Sequence, residues 1–236
     1  MNITASGAAA TATAHTETRM PPSAPSFWRR NGLSIVLLTF LLAALIGQIA
    51  TGRSVYNAER LEHHLPALAL GQYLTSGHFV SATFENWESE FLQMGLYVLL
   101  TVSLRQKGSA ESRPLEPRSE RIEPGPTPWP VKAGGLWRRL YERSLSIAFG
   151  LLFAASFALH LCGSWRAHNA ELAMKGEPPV GLAAFVGDAQ FWFESFQNWQ
   201  SEFLAVAALV IITIWLRQKD SPQSKPVEAP HSQTGA

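Results

Sequence analysis

The sequence predicts an all-α membrane protein, with four transmembrane helices arranged as two parallel tandem-repeat hairpins. Three observations predict it. The stretch from Phe84 to Leu92, FENWESEFL, returns from Phe196 to Leu204 as FQNWQSEFL, altered only where Glu85 and Glu88 give way to Gln197 and Gln200. Apolar runs without charge, about the length of a bilayer core, occur in both halves of the chain. Lys and Arg gather before the first run, between the second and third, and after the fourth.

The repeat holds one register over a long stretch. Leu33 and Leu145, Asn57 and Asn169, Pro66 and Pro178, Trp87 and Trp199, Glu90 and Glu202, and Lys107 and Lys219 are each 112 positions apart. A chance likeness would not keep step through two apolar runs and the polar segment between them. The sequence therefore reads as a tandem duplication of a helical hairpin. An even number of spans per copy makes the copies parallel, related by an axis along the membrane normal.

In chain order, residues 1–26 are rich in Ala, Thr, Ser and Pro without an apolar period and read as a disordered tail. The first copy covers 27–107, with spans over about 33–51 and 87–104. A cleaved signal peptide is the competing reading of the first run. The run is long for one, and a similar segment recurs internally. Between the spans, residues 70–84 place Leu70, Tyr73, Leu74, Gly77, Ser81 and Phe84 on one face, which predicts a helix lying in the membrane interface or leading into the next span. His63 and His64 read as an exposed loop pair, because adjacent side chains point to different faces. Residues 108–134, with six prolines and mixed charges, read as a flexible cytoplasmic linker. The second copy covers 135–219, with spans over about 145–162 and 199–216, and 220–236 reads as a second disordered tail. The positive-inside rule puts both termini and the linker in the cytoplasm, hence a multi-pass inner-membrane protein.

A net charge of +1 gives no reason to expect a nucleic acid. The single cysteine, Cys162, excludes an intramolecular disulfide and reads as a small packed residue. No Cys/His cluster has zinc-ligand spacing, and no phosphate loop, nucleophile elbow or zincin motif occurs. The expectation is accordingly no enzyme, no catalytic or metal-binding residues and no cofactor.

What polar chemistry there is lies in the apolar runs. At 100° per residue Asn86, Glu90, Gln93, Tyr97 and Thr101 form one stripe of the second span. Of this stripe the fourth span keeps Asn198, Glu202 and Thr213. Depth counting puts Gln48 level with Glu90, and His160 level with Glu202, on the outer side. These six, Gln48, Asn86, Glu90, His160, Asn198 and Glu202, are the candidate polar or ion pathway. Trp87 and Trp199 are the expected interfacial anchors. The small residues Gly95, Ala205, Ala207 and Ala208 would let the second and fourth spans approach closely. Two functions follow from different classes. One is a non-catalytic bundle that packs in the lipid bilayer against a second copy or another membrane protein. The alternative is a small ion, proton or solute transporter or channel using Glu90 and Glu202.

The NGLS start at Asn31–Ser34, YLTSGHF at Tyr73–Phe79 and FENWESEFLQM at Phe84–Met94 resemble a family of small bacterial multi-pass membrane proteins known as a domain of unknown function. The resemblance covers about residues 27–219 and implies a location in the bacterial inner membrane. The second copy departs from it at Gly187–Gln190, where Thr75–His78 stand in the first. It brings over no activity and no site residues.

Overall fold

The protein is described here by a computed structural model covering residues 26–116 and 122–235. The tail expected over 1–26 lies outside the described residues except for Ser26, as does part of the expected linker. The described residues form eight helices and no strand. The chain divides at Gly47 into two units.

In the first unit the described residues belong to the start of α1 (Phe27–Glu62). Ser26 begins it, its hydroxyl accepting from Arg29 N at 3.3 Å. At 36 residues the helix outruns the span expected over 33–51, because 52–62 continue it with polar residues.

The second unit takes the rest of the chain. It contains the end of α1 and then α2 (Leu70–Leu74) and α3 (Gly77–Ser103). After these come α4 (Trp129–Ala133), α5 (Gly135–Glu142), α6 (Ser144–Met174), α7 (Leu182–Val186) and α8 (Ala189–Ile212). The helix expected over 70–84 is broken. Thr75 returns its hydroxyl to Gly71 and Gln72 carbonyls, and Ser76 caps α3 by accepting from Phe79 N at 3.2 Å. Two caps side by side end one helix and start the next.

Local geometry recurs at the spacing of 112 residues. The helices α2 and α7 begin and end 112 residues apart, and so do the starts of α3 and α8. Asn57 clamps the Leu68 backbone with two hydrogen bonds, at 2.8 and 3.2 Å, and Asn169 clamps Val180 in the same way, at 2.7 and 3.1 Å. Arg53 adds a donor to the Leu68 carbonyl where Trp165 adds one to Val180. At the far ends Arg105 and Arg217 each turn back on the last carbonyls of their helix.

Helix α3 is central to the second unit. It runs antiparallel to α6, Gly77 lying against Ala167, Ser81 against Ser164 and Gly95 against Phe149. It runs parallel to α8, where Gln93 donates to the Glu202 carbonyl at 2.9 Å. The α3–α6 approach is backbone to backbone. A Cβ on Gly163 would lie 2.5 Å from Ser81 N and 3.0 Å from its Cα, closer than packed atoms allow. Only glycine fits such a crossing, as in close helix pairs in lipid.

Two helices, α1 and α6, are long and apolar enough to cross a membrane. Only 11 % of the apolar window of α6 is buried, whereas a core helix of a water-soluble protein buries most of its apolar side chains. The other two expected spans, in α3 and α8, do not meet that test, because their first halves carry the polar motif.

The segments expected to lie in the cytoplasm differ from expectation. Within the linker, 108–110 are buried and 129–133 form α4. Residues 220–235, expected to be disordered, carry turns around Lys225, which is 1 % exposed. Its ammonium donates to the carbonyls of Gly108, Ile214, His231 and Gln233. A buried cation surrounded by carbonyl dipoles is what orders these polar turns.

Gly163→Ala should destabilise the protein by about 1–3 kcal/mol through overpacking. Gly150→Ala, where an added Cβ meets nothing within 4 Å, should be neutral or stabilising. Thermal melts in detergent check the pair, and equal melting temperatures would remove the close crossing.

Candidate functional site

The site grows out of the helix crossing just described. Where α3 passes α6 and α8, Glu88 points into the second unit and is 0 % exposed. Both its oxygens are occupied. His160 Nδ1 donates to Oε2 at 2.7 Å, and Trp199 Nε1 donates to Oε1 at 2.9 Å. A carboxylate is an acceptor and an indole only a donor, so the Nδ1 tautomer of His160 follows. His160 is itself 0 % exposed, and its Nε2 has no hydrogen-bond partner. Its ring packs on Phe191 with centroids 5.1 Å apart.

One turn before Glu88 on α3, Glu85 accepts from Asn198 Nδ2 of α8. Asn198 also returns to the Glu194 carbonyl at 3.3 Å, and Gln190 Nε2 donates to the Glu194 carboxylate at 2.8 Å. A nitrogen of His160 and one carboxylate oxygen each from Glu85 and Glu194 lie within 4.8 Å of one another. The spacing is helical: Glu85 and Glu88 are i,i+3 on α3, and Gln190, Glu194 and Asn198 are i,i+4 steps on α8.

Of these groups, Glu85, Gln190 and Glu194 line a cavity of about 580 Å³ within the second unit. Its lining includes Glu59, Glu85, Glu171 and Glu194, with His78 and His168, and no Lys or Arg. It reaches solvent at Glu171 and Gln190, both exposed. Tyr56 stacks on His78, with ring centroids 4.7 Å apart, and Tyr73 OH lies 3.4 Å from His78 Nδ1. Burial lowers the pKa of His78, with the Glu59 charge opposing. Burial raises that of Glu85, against the lowering by His160 and Asn198.

The residues singled out from the sequence scatter around this site. His160 and Asn198 belong to it, and Trp199 belongs to it as a hydrogen-bond donor. His160 is paired with Glu88 rather than with Glu202. Gln48 donates to Thr83 Oγ1 at 3.3 Å rather than to Glu90. Glu90 and Asn86 are exposed, the latter donating to the Ala82 carbonyl. Glu202 is half-buried, and what α3 touches is its backbone carbonyl. Trp87 packs edge-on against Phe84 as Trp199 packs against Phe196. Sequence reasoning passed over Glu85, Glu88 and Glu194. Their signal was available: at the matching positions stand Gln197, Gln200 and Ala82, so these are charges that only one copy carries.

Glu88→Ala leaves His160 buried without its partner and should cost about 3–5 kcal/mol. The double variant Glu88→Gln/His160→Gln, which places the Gln200 and Gln48 residue types at these positions, should recover a large part of that loss. Chemical denaturation followed by tryptophan fluorescence reads both. A double variant as weak as the single one would argue against the pair. The lowered pKa of His78 sets a pH dependence. The neutral ring is the folded form, so this contribution is intact above the ordinary histidine value of 6.5 and is lost as pH falls below it. Between pH 7 and pH 5 the melting temperature of the wild type should fall more steeply than that of His78→Gln.

The chain matches the family model described as "Domain of unknown function (DUF6766)" over residues 24–236. No curated protein and no solved structure matches it. With nearly the whole described chain inside that match, the helices α1 to α8 and the carboxylate–histidine site belong to one family unit, and the protein is a member of the DUF6766 family.

Proposed function

We propose that this is a multi-pass inner-membrane protein that binds cations in the cavity between its helices. In this reading it is a tandem duplication of a helical hairpin. Four spans, over about 33–51, 87–104, 145–162 and 199–216, hold both termini in the cytoplasm, and the cavity lies on the opposite side. The recurring Asn57 and Asn169 clamps support the duplication, and the exposed apolar faces of α6 support the membrane. One observation carries the function: four carboxylates and two histidines line one cavity with no Lys or Arg in its wall, and of the four only Glu171, at the mouth, is paired with a lysine, Lys175. Walls of a single charge sign in a low-dielectric setting focus the field and concentrate the opposite ion. No catalytic role is assigned to these side chains. The packing role weighed from the sequence has no comparable feature in its favour.

Binding is read on the full chain in detergent. Calcium or manganese chloride should raise the melting temperature above that in choline chloride of equal ionic strength. Replacing Glu59, Glu85, Glu171 and Glu194 together by Gln should abolish the rise. If no cation outperforms choline, the cavity is structural. Cytoplasm-dependent reporters should be active at the C-terminus and near Gly125 and silent near His63, and activity near His63 would reverse the orientation.

A further inference from the structure

We infer that Glu85, His160 and Glu194 form a binding site for one divalent first-row transition-metal ion, of the zinc, manganese or ferrous class. The inference rests on the cation-binding reading of the cavity and names the ion and its ligands. Glu88 occupies His160 Nδ1, so Nε2 is the nitrogen left for a ligand, and it is buried with no hydrogen-bond partner. A buried nitrogen lone pair without a donor is unfavourable unless something accepts it. The Glu85 and Glu194 carboxylates near the His160 ring supply the other ligands and balance a divalent charge.

The surroundings are those of a metal site one layer out. A ligating histidine normally gives its other N–H to a carboxylate, which fixes the tautomer and makes the ring a better donor. Glu88 does this for His160, with Trp199 holding the second oxygen of Glu88. Asn198 holds Glu85, and Gln190 holds Glu194. Each ligand thus has a partner that orients it. One imidazole with two carboxylates suits a borderline or hard divalent ion. Calcium would need six or more oxygens. A copper(I) site would need sulfur ligands, and no sulfur group is in the set. Three ligands around a tetrahedral ion sit about 3.4 Å apart, given metal–ligand bonds of about 2.0–2.2 Å. The set now spans up to 4.8 Å. Rotation of the two half-buried Glu side chains, both of which line the cavity, covers the difference.

The full chain, stripped with a chelator and loaded with zinc chloride in detergent, should retain close to one zinc after desalting, as read by elemental analysis. Glu85→Gln and Glu194→Gln should each lose the retained zinc while melting cooperatively. Glu88→Gln should keep the stoichiometry with about 10–100-fold weaker binding. His63→Ala/His64→Ala, which removes an exposed histidine pair, should retain zinc as the wild type does. Cobalt(II) loaded in place of zinc should give visible ligand-field bands that Glu85→Gln and Glu194→Gln abolish. Zinc retained by folded Glu85→Gln and Glu194→Gln would overturn the site. If calcium stabilises the chain through the four carboxylates while zinc is not retained, this site falls and the cation-binding cavity stands. If no cation has an effect, both fall.

Discussion

A carboxylate placed where water does not reach has to have both oxygens occupied, and Glu88 meets that demand with two different helices. Its partners, His160 on α6 and Trp199 on α8, come from the two elements that α3 packs against. Burying an ionisable side chain without such partners costs several kcal/mol. The rotations of three helices about their axes are therefore tied to one another through a single side chain. The glycine crossing at Gly77 and Gly163 brings α3 and α6 close enough for the pair to form. Apolar packing alone would tolerate sliding and rotation, whereas a hydrogen-bonded buried carboxylate accepts few geometries.

The two halves of the chain share a scaffold and divide the chemistry unequally. The asparagine clamps, the arginine end-caps, the Phe–Trp pairs and the break before the motif helix occur in both. The charges of the site do not. Glu85, Glu88, His160 and Glu194 correspond in sequence to Gln197, Gln200, Gln48 and Ala82, three amides and a methyl group. Repelling carboxylates twice over in one low-dielectric bundle would be costly.

The environment sharpens the chemistry available to the site. Desolvation favours the neutral forms of His78 and Glu85. A cation reverses that balance for a carboxylate by giving its charge a close partner. On the proposed reading, protons and a metal ion would compete for these groups as pH changes.

The sequence by itself determined the helical class, the 112-residue register and the polar motif helices, because periodicity and repetition are local and need no knowledge of neighbours. Asn57 and Asn169 were visible as matched positions, and the clamp each makes reaches only 11 residues along the chain. Which carboxylates matter was decided by tertiary structure. Reading survival in both copies as the mark of function pointed to Glu90 and Glu202, yet Glu90 is exposed and Glu202 contributes a backbone carbonyl. What both copies keep is what the fold needs twice. The site draws each member from a different helix, Glu85 from α3, His160 from α6 and Glu194 from α8. No spacing along the chain brings those three together. Their meeting is set by the antiparallel crossing of α3 with α6 and the parallel contact of α3 with α8, which exist only once the helices have packed.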